Sequence, residues 1–500
     1  MLDQSRTPLL DAIKKFQEED PAYFRIPGHR FDRGADEKAR KLLGRKAFCA
    51  DLTEAEGLDD LHQPEGVIYQ AEALAADLFG SDCCWFLVNG TTCGNEAMIL
   101  ASVREGEKIL VPRNAHKSVL MGLVLSGAVP VWMQPEYLES WDISGAVRPE
   151  TVEQALEQDP EIRAVFLVSP TYYGICSDIR RIAEICHAHG VPLLVDEAHG
   201  SHLYFSESCP GGAIALGADL CAQSTHKTLC SFTQSSMLHW KSSLVSRNRV
   251  EESLKLVMST SPSYLLMASL DGARHQMAEA GKQLVSQAEN LAGKARELLL
   301  EIPGISVLTE DNAHSRGEIS LDPLRVVFRV ESPKIRGYQL QDRLFAKGQV
   351  STELADENNV VAVITWGNTE EDIRRLAEAA DEIVSMTPDI TGNSYQTAEK
   401  RQIFSFRIPE QIMTPRQAWM SQSKACYLEM AEGQICAESV IPYPPGIPIL
   451  YPGERVTKEA AEAVRFCREH RLHLHGCADT TLRTLQVVTA YEGKEGGKLG

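Results

Sequence analysis

WFLVNGTTCGNEAMIL, residues 85–100, changes character twice. A continuous apolar run ends at Gly90, hydroxyl residues follow at Thr91 and Thr92, and after Gly94 the composition becomes that of a helix. A short uninterrupted apolar run suits a strand buried on both faces, and a glycine at its end permits a tight turn. The backbone N–H groups of the helix start, with short hydroxyls beside them, form a ready anion site. Taken alone, the stretch also reads as an ordinary capped strand-to-helix turn.

The same alternation continues as far as Ala222. KILVP, VPVWM, AVFLV, PLLVD and ADLCA are separated by helix-like stretches, a pattern that predicts a mainly parallel sheet covered on both faces in a large α/β domain. From Ser263 to Ile302 the chain is rich in Ala, Leu, Glu, Gln and Lys at helical spacing, which predicts one or more long helices. Strand candidates LRVVFRV (324–330) and VVAVITW (360–366), with helical stretches at 337–347 and 369–386, predict a smaller α+β unit. A run rich in Pro, Asp, Thr, Gly, Asn and Ser from Thr387 to Glu399 reads as a linker, and helical segments flank IPYPPGIPILYPGE at 441–454. The expected organisation is an N-terminal segment 1–30, a large α/β domain 31–275, a small α+β domain 276–390 and a C-terminal α+β domain 391–500.

Composition narrows the function. With 500 residues, 43% of them hydrophobic, the chain is long enough to bury several cores. A net charge of −19 without a basic cluster argues against nucleic acid and is compatible with a cationic small substrate. No apolar run reaches about 18 residues, so a membrane span is not expected. The start MLDQSRTPLLDAIKKFQEED lacks the basic-then-apolar pattern of a signal peptide, which predicts a cytoplasmic protein. Thirteen cysteines without a Cys-x-x-Cys pair read as reduced small hydrophobes and predict neither a disulfide framework nor a zinc site.

Three further strand ends carry chemistry. RNAHKSVL (113–120) follows KILVP and places His116 where α/β sheets bind ligands; alone, it reads as a turn histidine. VPLLVDEAHGSH (191–202) ends a strand at Asp196, a carboxylate suited to hold a cationic nitrogen, with an N-cap or a magnesium ligand as alternatives. His199 and His202 have metal-like spacing but lack the helical context and further ligands of a zinc site. CAQSTHKTLC (221–230) then sets Ser224, His226 and Lys227 just past ADLCA, a segment that alone reads as a polar turn. Together the four strand ends supply an anion cradle, a flat aromatic ring, a carboxylate and an amine. Those are the parts that pyridoxal 5′-phosphate requires.

On these motifs the chain resembles the Orn/Lys/Arg decarboxylases, of the aspartate aminotransferase-like pyridoxal-phosphate fold type I class. The likeness runs through IPGHR (26–30), LDDLHQPEG (58–66), the cradle, RNAHKS, SPTYYG (169–174), VDEAHG, STHK, STSPSY (259–264), and YPPGIP with PGE near the C-terminus. With its motifs beginning by residue 26, the chain is similar to the short, Gram-positive-type branch without the receiver-like wing domain of larger members. The resemblance implies Lys227 as the lysine that attaches the cofactor and Asp196 as the partner of its ring nitrogen. It implies His116 as the stacked ring, and Thr91, Thr92, Ser224 and His226 as phosphate contacts. It places Ser259 or Thr260 near the phosphate of a neighbouring subunit, so a homodimer or an oligomer of dimers is expected. His199 stands where some larger members carry tryptophan and is assigned to the cofactor.

The implied activity is decarboxylation of a basic amino acid, arginine to agmatine first, lysine to cadaverine second and ornithine third, in polyamine synthesis. Glu454 and Glu438 are candidates for the substrate's cationic head, although both also read as surface glutamates. Lys227 or His226 is a candidate proton donor to the product. An aminotransferase or lyase of the same fold would use the same cofactor motifs. A regulatory homologue without activity is disfavoured by the presence of both Lys227 and Asp196.

Overall fold

A computed structural model describes residues 2–313, 320–331, 335–387, 407–442, 447–470 and 474–490. The chain forms two compact units, Met1–Ser102 with Ile179–Gln287, and Val103–Asp178 with Ala288–Gly500. No helix among the described residues is long and apolar enough to cross a membrane.

In the first unit, four strands lie in the order Cys83–Leu87, Ser236–Trp240, Leu220–Gln223 and Leu193–Asp196. The first two pairings are antiparallel, with Trp85 opposite Leu238 and Leu238 opposite Ala222, and the last is parallel, with Val195 opposite Cys221. Cys83–Leu87, Leu220–Gln223 and Leu193–Asp196 thus point the same way, around one reversed strand. That reversed strand, SMLHW, escapes a sequence reading because serine and histidine interrupt its apolar pattern. Its polar atoms find partners inside the unit: Ser236 Oγ lies 3.1 Å from Thr91 Oγ1, and His239 bonds both Ser81 and Gln223.

The helix Gly90–Ser102 follows the first strand as expected. Gly90 has φ 73°, the left-handed turn that favours glycine. At Gly94 a Cβ atom would sit 2.9 Å from Leu87 Cδ1 and 3.0 Å from Ala222 Cβ, so only glycine lets this helix press onto the sheet.

The stretch after Ser263 is one 37-residue helix, Tyr264–Leu300, which runs unbroken through the boundary expected at residue 275. On it, Asp271 and Arg274 form a fully buried ion pair of 2.7 Å. Asp271 also accepts from the backbone N–H of Leu9 at 3.0 Å, and Arg274 donates to the carbonyls of Gln4 and Arg6 at 2.7 and 2.5 Å. The helix Pro8–Glu19 is thereby fastened to the unit.

In the second unit, the expected strands Lys108–Pro112, Val129–Met133 and Ile162–Val168 form a parallel sheet with Lys108–Pro112 in the middle. A four-stranded antiparallel sheet follows, ordered Ile305–Val307, Arg325–Val330, Val360–Val363 and Leu354–Ala355. The helices Gly337–Gly348 and Glu370–Ser385 share its core, in which Val326, Phe328, Val360, Leu344 and Ala380 are buried. The expected linker lies, from residue 388 on, outside the described residues, as do residues 443–446 of the proline-dense stretch. Towards the C-terminus, Gln422–Tyr427 pairs with Thr484–Ala490, and the helix Lys458–Glu469 lies over a core that includes Cys436, Val464 and Leu485.

Glu454, expected at the head of a substrate, instead has both carboxylate oxygens engaged within this unit. It forms a two-pronged pair with Arg113, whose Nη2 donates at 2.8 Å, and it accepts from the Tyr451 N–H at 2.7 Å. Arg113 directs its remaining donors at the carbonyls of Pro448 and Ile449, at 3.2 and 3.3 Å, and its guanidinium lies near the rings of Trp132 and Tyr451. Arg113 is 2% exposed and Glu454 0%. Glu438 is likewise buried and accepts from the N–H groups of Ala478 at 2.7 Å and Gln486 at 2.8 Å. Both carboxylates have the contacts of structural groups. Removing one member of a buried pair leaves the other charge without compensation. Glu454→Ala should therefore lower the unfolding free energy by about 3–5 kcal/mol in denaturant titrations; a variant of unchanged stability but weakened substrate binding would restore the substrate role.

Candidate active site

The first unit brings together most of the residues singled out in the sequence. Asp196 ends its strand with 3% exposure; its Oδ2 accepts from Asn95 Nδ2 at 2.7 Å and its Oδ1 from the Ala198 N–H at 3.0 Å. Asn95, 1% exposed on the helix Gly90–Ser102, was missed in the sequence reading. Its signal was available: a lone amide among the buried positions Cys93, Ala97 and Met98 of an otherwise apolar helix face.

Lys227 lies on the short helix Thr225–Thr228, and its Nζ is 3.2 Å from His199 Nε2. His199 is 5% exposed, three residues beyond Asp196. His226 points its Nδ1–H at the carbonyl of Ser235, 2.8 Å away, and burial lowers its pKa. Ser224 and Thr91 are both buried with their hydroxyls 2.6 Å apart, and Ser236 completes a hydroxyl triad with Thr91. Thr92 is half-buried beside Thr91 on the first turn of the helix.

Ser259 and Thr260 are exposed in the chain. The Ser259 N–H donates to Asn89 Oδ1 at 3.0 Å, next to the glycine turn, and its carbonyl accepts from His62 Nε2 at 2.8 Å. That pair of bonds links the LDDLHQPEG and STSPSY motifs to the cradle. His116 belongs to the second unit, where it caps the helix Lys117–Ser126: its Nδ1 accepts from the Ser118 N–H at 3.3 Å and lies 2.9 Å from Ser118 Oγ.

These residues fit pyridoxal 5′-phosphate. The set combines an amine at Lys227, a buried carboxylate held by two N–H donors at Asp196, and a helix start with hydroxyls at Thr91, Thr92 and Ser224. The glycine turn at Gly90 leaves backbone N–H groups approachable at that helix start.

Comparisons with known proteins show the family. The Orn/Lys/Arg decarboxylase major domain matches residues 7–372, and the C-terminal domain of the same proteins matches residues 397–474. The chain belongs to the Orn/Lys/Arg decarboxylase family. It is 38% identical over 487 residues to an arginine decarboxylase of Bacillus subtilis, covering 97% of this chain and 99% of that one. Among solved structures, a lysine decarboxylase of Francisella novicida superimposes with a TM-score of 0.83 at 22% identity, over 96% of this chain and 81% of that one. An alanine–glyoxylate aminotransferase from Nostoc shares the fold at a TM-score of 0.50 and 17% identity, over 63% of this chain and 86% of that one. The protein thus has the α/β fold type I architecture, and as an Orn/Lys/Arg decarboxylase it is an amino acid carboxy-lyase.

A second buried carboxylate adjoins Asp196. Glu197 accepts from Ala213 N at 2.6 Å, Gln223 Nε2 at 2.8 Å, Tyr204 OH at 3.0 Å and Cys221 Sγ at 3.0 Å. None of the four is a cation, and burial pushes its pKa up to about 7. Gln223 in turn accepts from His239 Nε2 at 3.2 Å, and burial pushes that histidine down to about 3. The folded state holds the Glu197 proton to about pH 7, whereas the unfolded chain releases it near the ordinary 4.5. Stability from this group is therefore present below pH 4.5 and is lost as the pH rises through 7. Urea titrations from pH 4.5 to 7.5 should show the native protein losing on the order of 3 kcal/mol relative to Glu197→Gln; parallel profiles would show that Glu197 stays ionised throughout.

Proposed function

We propose that the protein decarboxylates arginine to agmatine and carbon dioxide, with pyridoxal 5′-phosphate bound at Lys227. The observation that carries the substrate is the 38% identity, along nearly the whole of both chains, to a protein named for arginine. Lysine and ornithine, the family's other substrates, are the competing arms of the test.

When bound, the cofactor supplies a sink for the electron pair of the bond that breaks. The chain's residues do the rest. The Lys227 amine would hold the cofactor and would also serve as a base and acid within the site. Asp196, held by Asn95 and the Ala198 N–H, would keep a proton on the ring nitrogen, because an adjacent anion favours the charged form. The N–H groups at the start of the helix Gly90–Ser102, with Thr92 and Ser224, would bind the phosphate, while Thr91 fixes the Ser224 hydroxyl at 2.6 Å. Ser259 or Thr260 would reach the phosphate of a second copy, which makes a homodimer the expected working unit.

The purified protein should be yellow and lose its visible band on borohydride reduction. Lys227→Ala should form no amine above background, and a panel of arginine, lysine and ornithine should give agmatine fastest. Agmatine slower than cadaverine would reassign the substrate; full activity in Lys227→Ala would reassign the attachment site.

A further inference from the structure

We propose that His199 is the proton partner of Lys227, sharing a proton with its amine and returning it when the reaction consumes one. The inference rests on the function proposed above and assigns a task that neither residue can complete alone.

Decarboxylation takes up one proton: amino acid plus H+ gives amine plus carbon dioxide. The bond between Cα and the carboxylate breaks, and its electron pair stays on the Cα side. A C–H bond forms there as an N–H bond of the Lys227 ammonium breaks. The imidazole of His199, whose Nε2 accepts from the ammonium beforehand, then takes one proton from solvent and passes the one on Nε2 to the Lys227 amine. The 3.2 Å separation of Nζ and Nε2 is a hydrogen bond, the distance over which a proton can pass between them.

His226, the neighbour of Lys227 in sequence, is turned to a different task. With Nδ1–H committed to the Ser235 carbonyl and burial favouring its neutral form, its other ring nitrogen carries a lone pair and no proton to give. The other titratable groups flanking His199 within this unit are also committed or enclosed. Asp196 is bonded to Asn95 and Ala198, Glu197 to its four donors, and His202 is fully buried in the turn Ser201–Tyr204.

Two measurements test the pair. In full-length protein stripped of cofactor, the titration of His199 is read by NMR of labelled histidine nitrogens, in wild type and in Lys227→Met. A neighbouring ammonium disfavours an imidazolium, so removing it should raise the midpoint of His199 by about one unit; an unmoved midpoint overturns the pairing. In the holoenzyme, His199→Gln should keep the cofactor's absorbance and substrate KM within about twofold, while kcat falls roughly 100-fold. Retained absorbance with unchanged kcat overturns the relay and leaves the proposed function standing. A wild-type protein that takes up no cofactor overturns the proposed function instead, and should His199→Gln misfold, the NMR comparison decides, since it needs no substitution at His199.

Discussion

Two consecutive carboxylates at the end of the strand Leu193–Asp196 are placed in a nearly dry interior, and each is sustained by a different set of donors. Asp196 draws on an amide from the helix Gly90–Ser102 and on the turn that follows it. Glu197 draws on Ala213, Gln223, Tyr204 and Cys221. A buried carboxyl group left without such partners would destabilise its surroundings, whether charged or neutral. The close approach of helix and sheet at Gly94, the reversed strand Ser236–Trp240 and the turn to Tyr204 can all be read as what it takes to bring enough N–H and O–H groups to one strand end.

The same economy governs Arg113 and Glu454. An arginine offers a fork of donors in fixed geometry, and here the fork meets one carboxylate and two carbonyls, close to two aromatic faces. The pair joins the end of the strand Lys108–Pro112, three residues before His116, to the PGE motif. A pair enclosed to this degree adds little net stability over an apolar substitute, yet strongly penalises any arrangement that separates its members.

Much of the fold was legible in the sequence because strands buried on both faces write uninterrupted apolar runs, and six of those runs became strands. Lys227, Asp196 and the glycine turn were legible because parallel strands gather ligand groups at their carboxyl ends. Asn95, Ser236 and Gln223 were not, since a polar residue on a buried face looks like an exposed one until its partner is known. For Glu454 the obstacle was distance: its partner lies 341 residues away, and a glutamate with no visible cation near it reads as a surface or substrate group. His199 was singled out in the sequence, but its place 3.2 Å from Lys227 was not legible there, because the turn after Asp196 creates it.

The tie between the N-terminal helix and Asp271 bears on how the protein comes into being. Leu9 and Asp271 are 262 residues apart. At typical synthesis rates of about 5–20 residues per second, the helix Pro8–Glu19 waits roughly 13–50 s on the ribosome for its anchor. Its apolar face can meet the helix Val67–Phe79 and the rings of Tyr23 and Phe31 sooner, but the buried ion pair that fixes the backbone of Leu9 is missing until then. The first segment of the chain to emerge is thus among the last to be fully fastened.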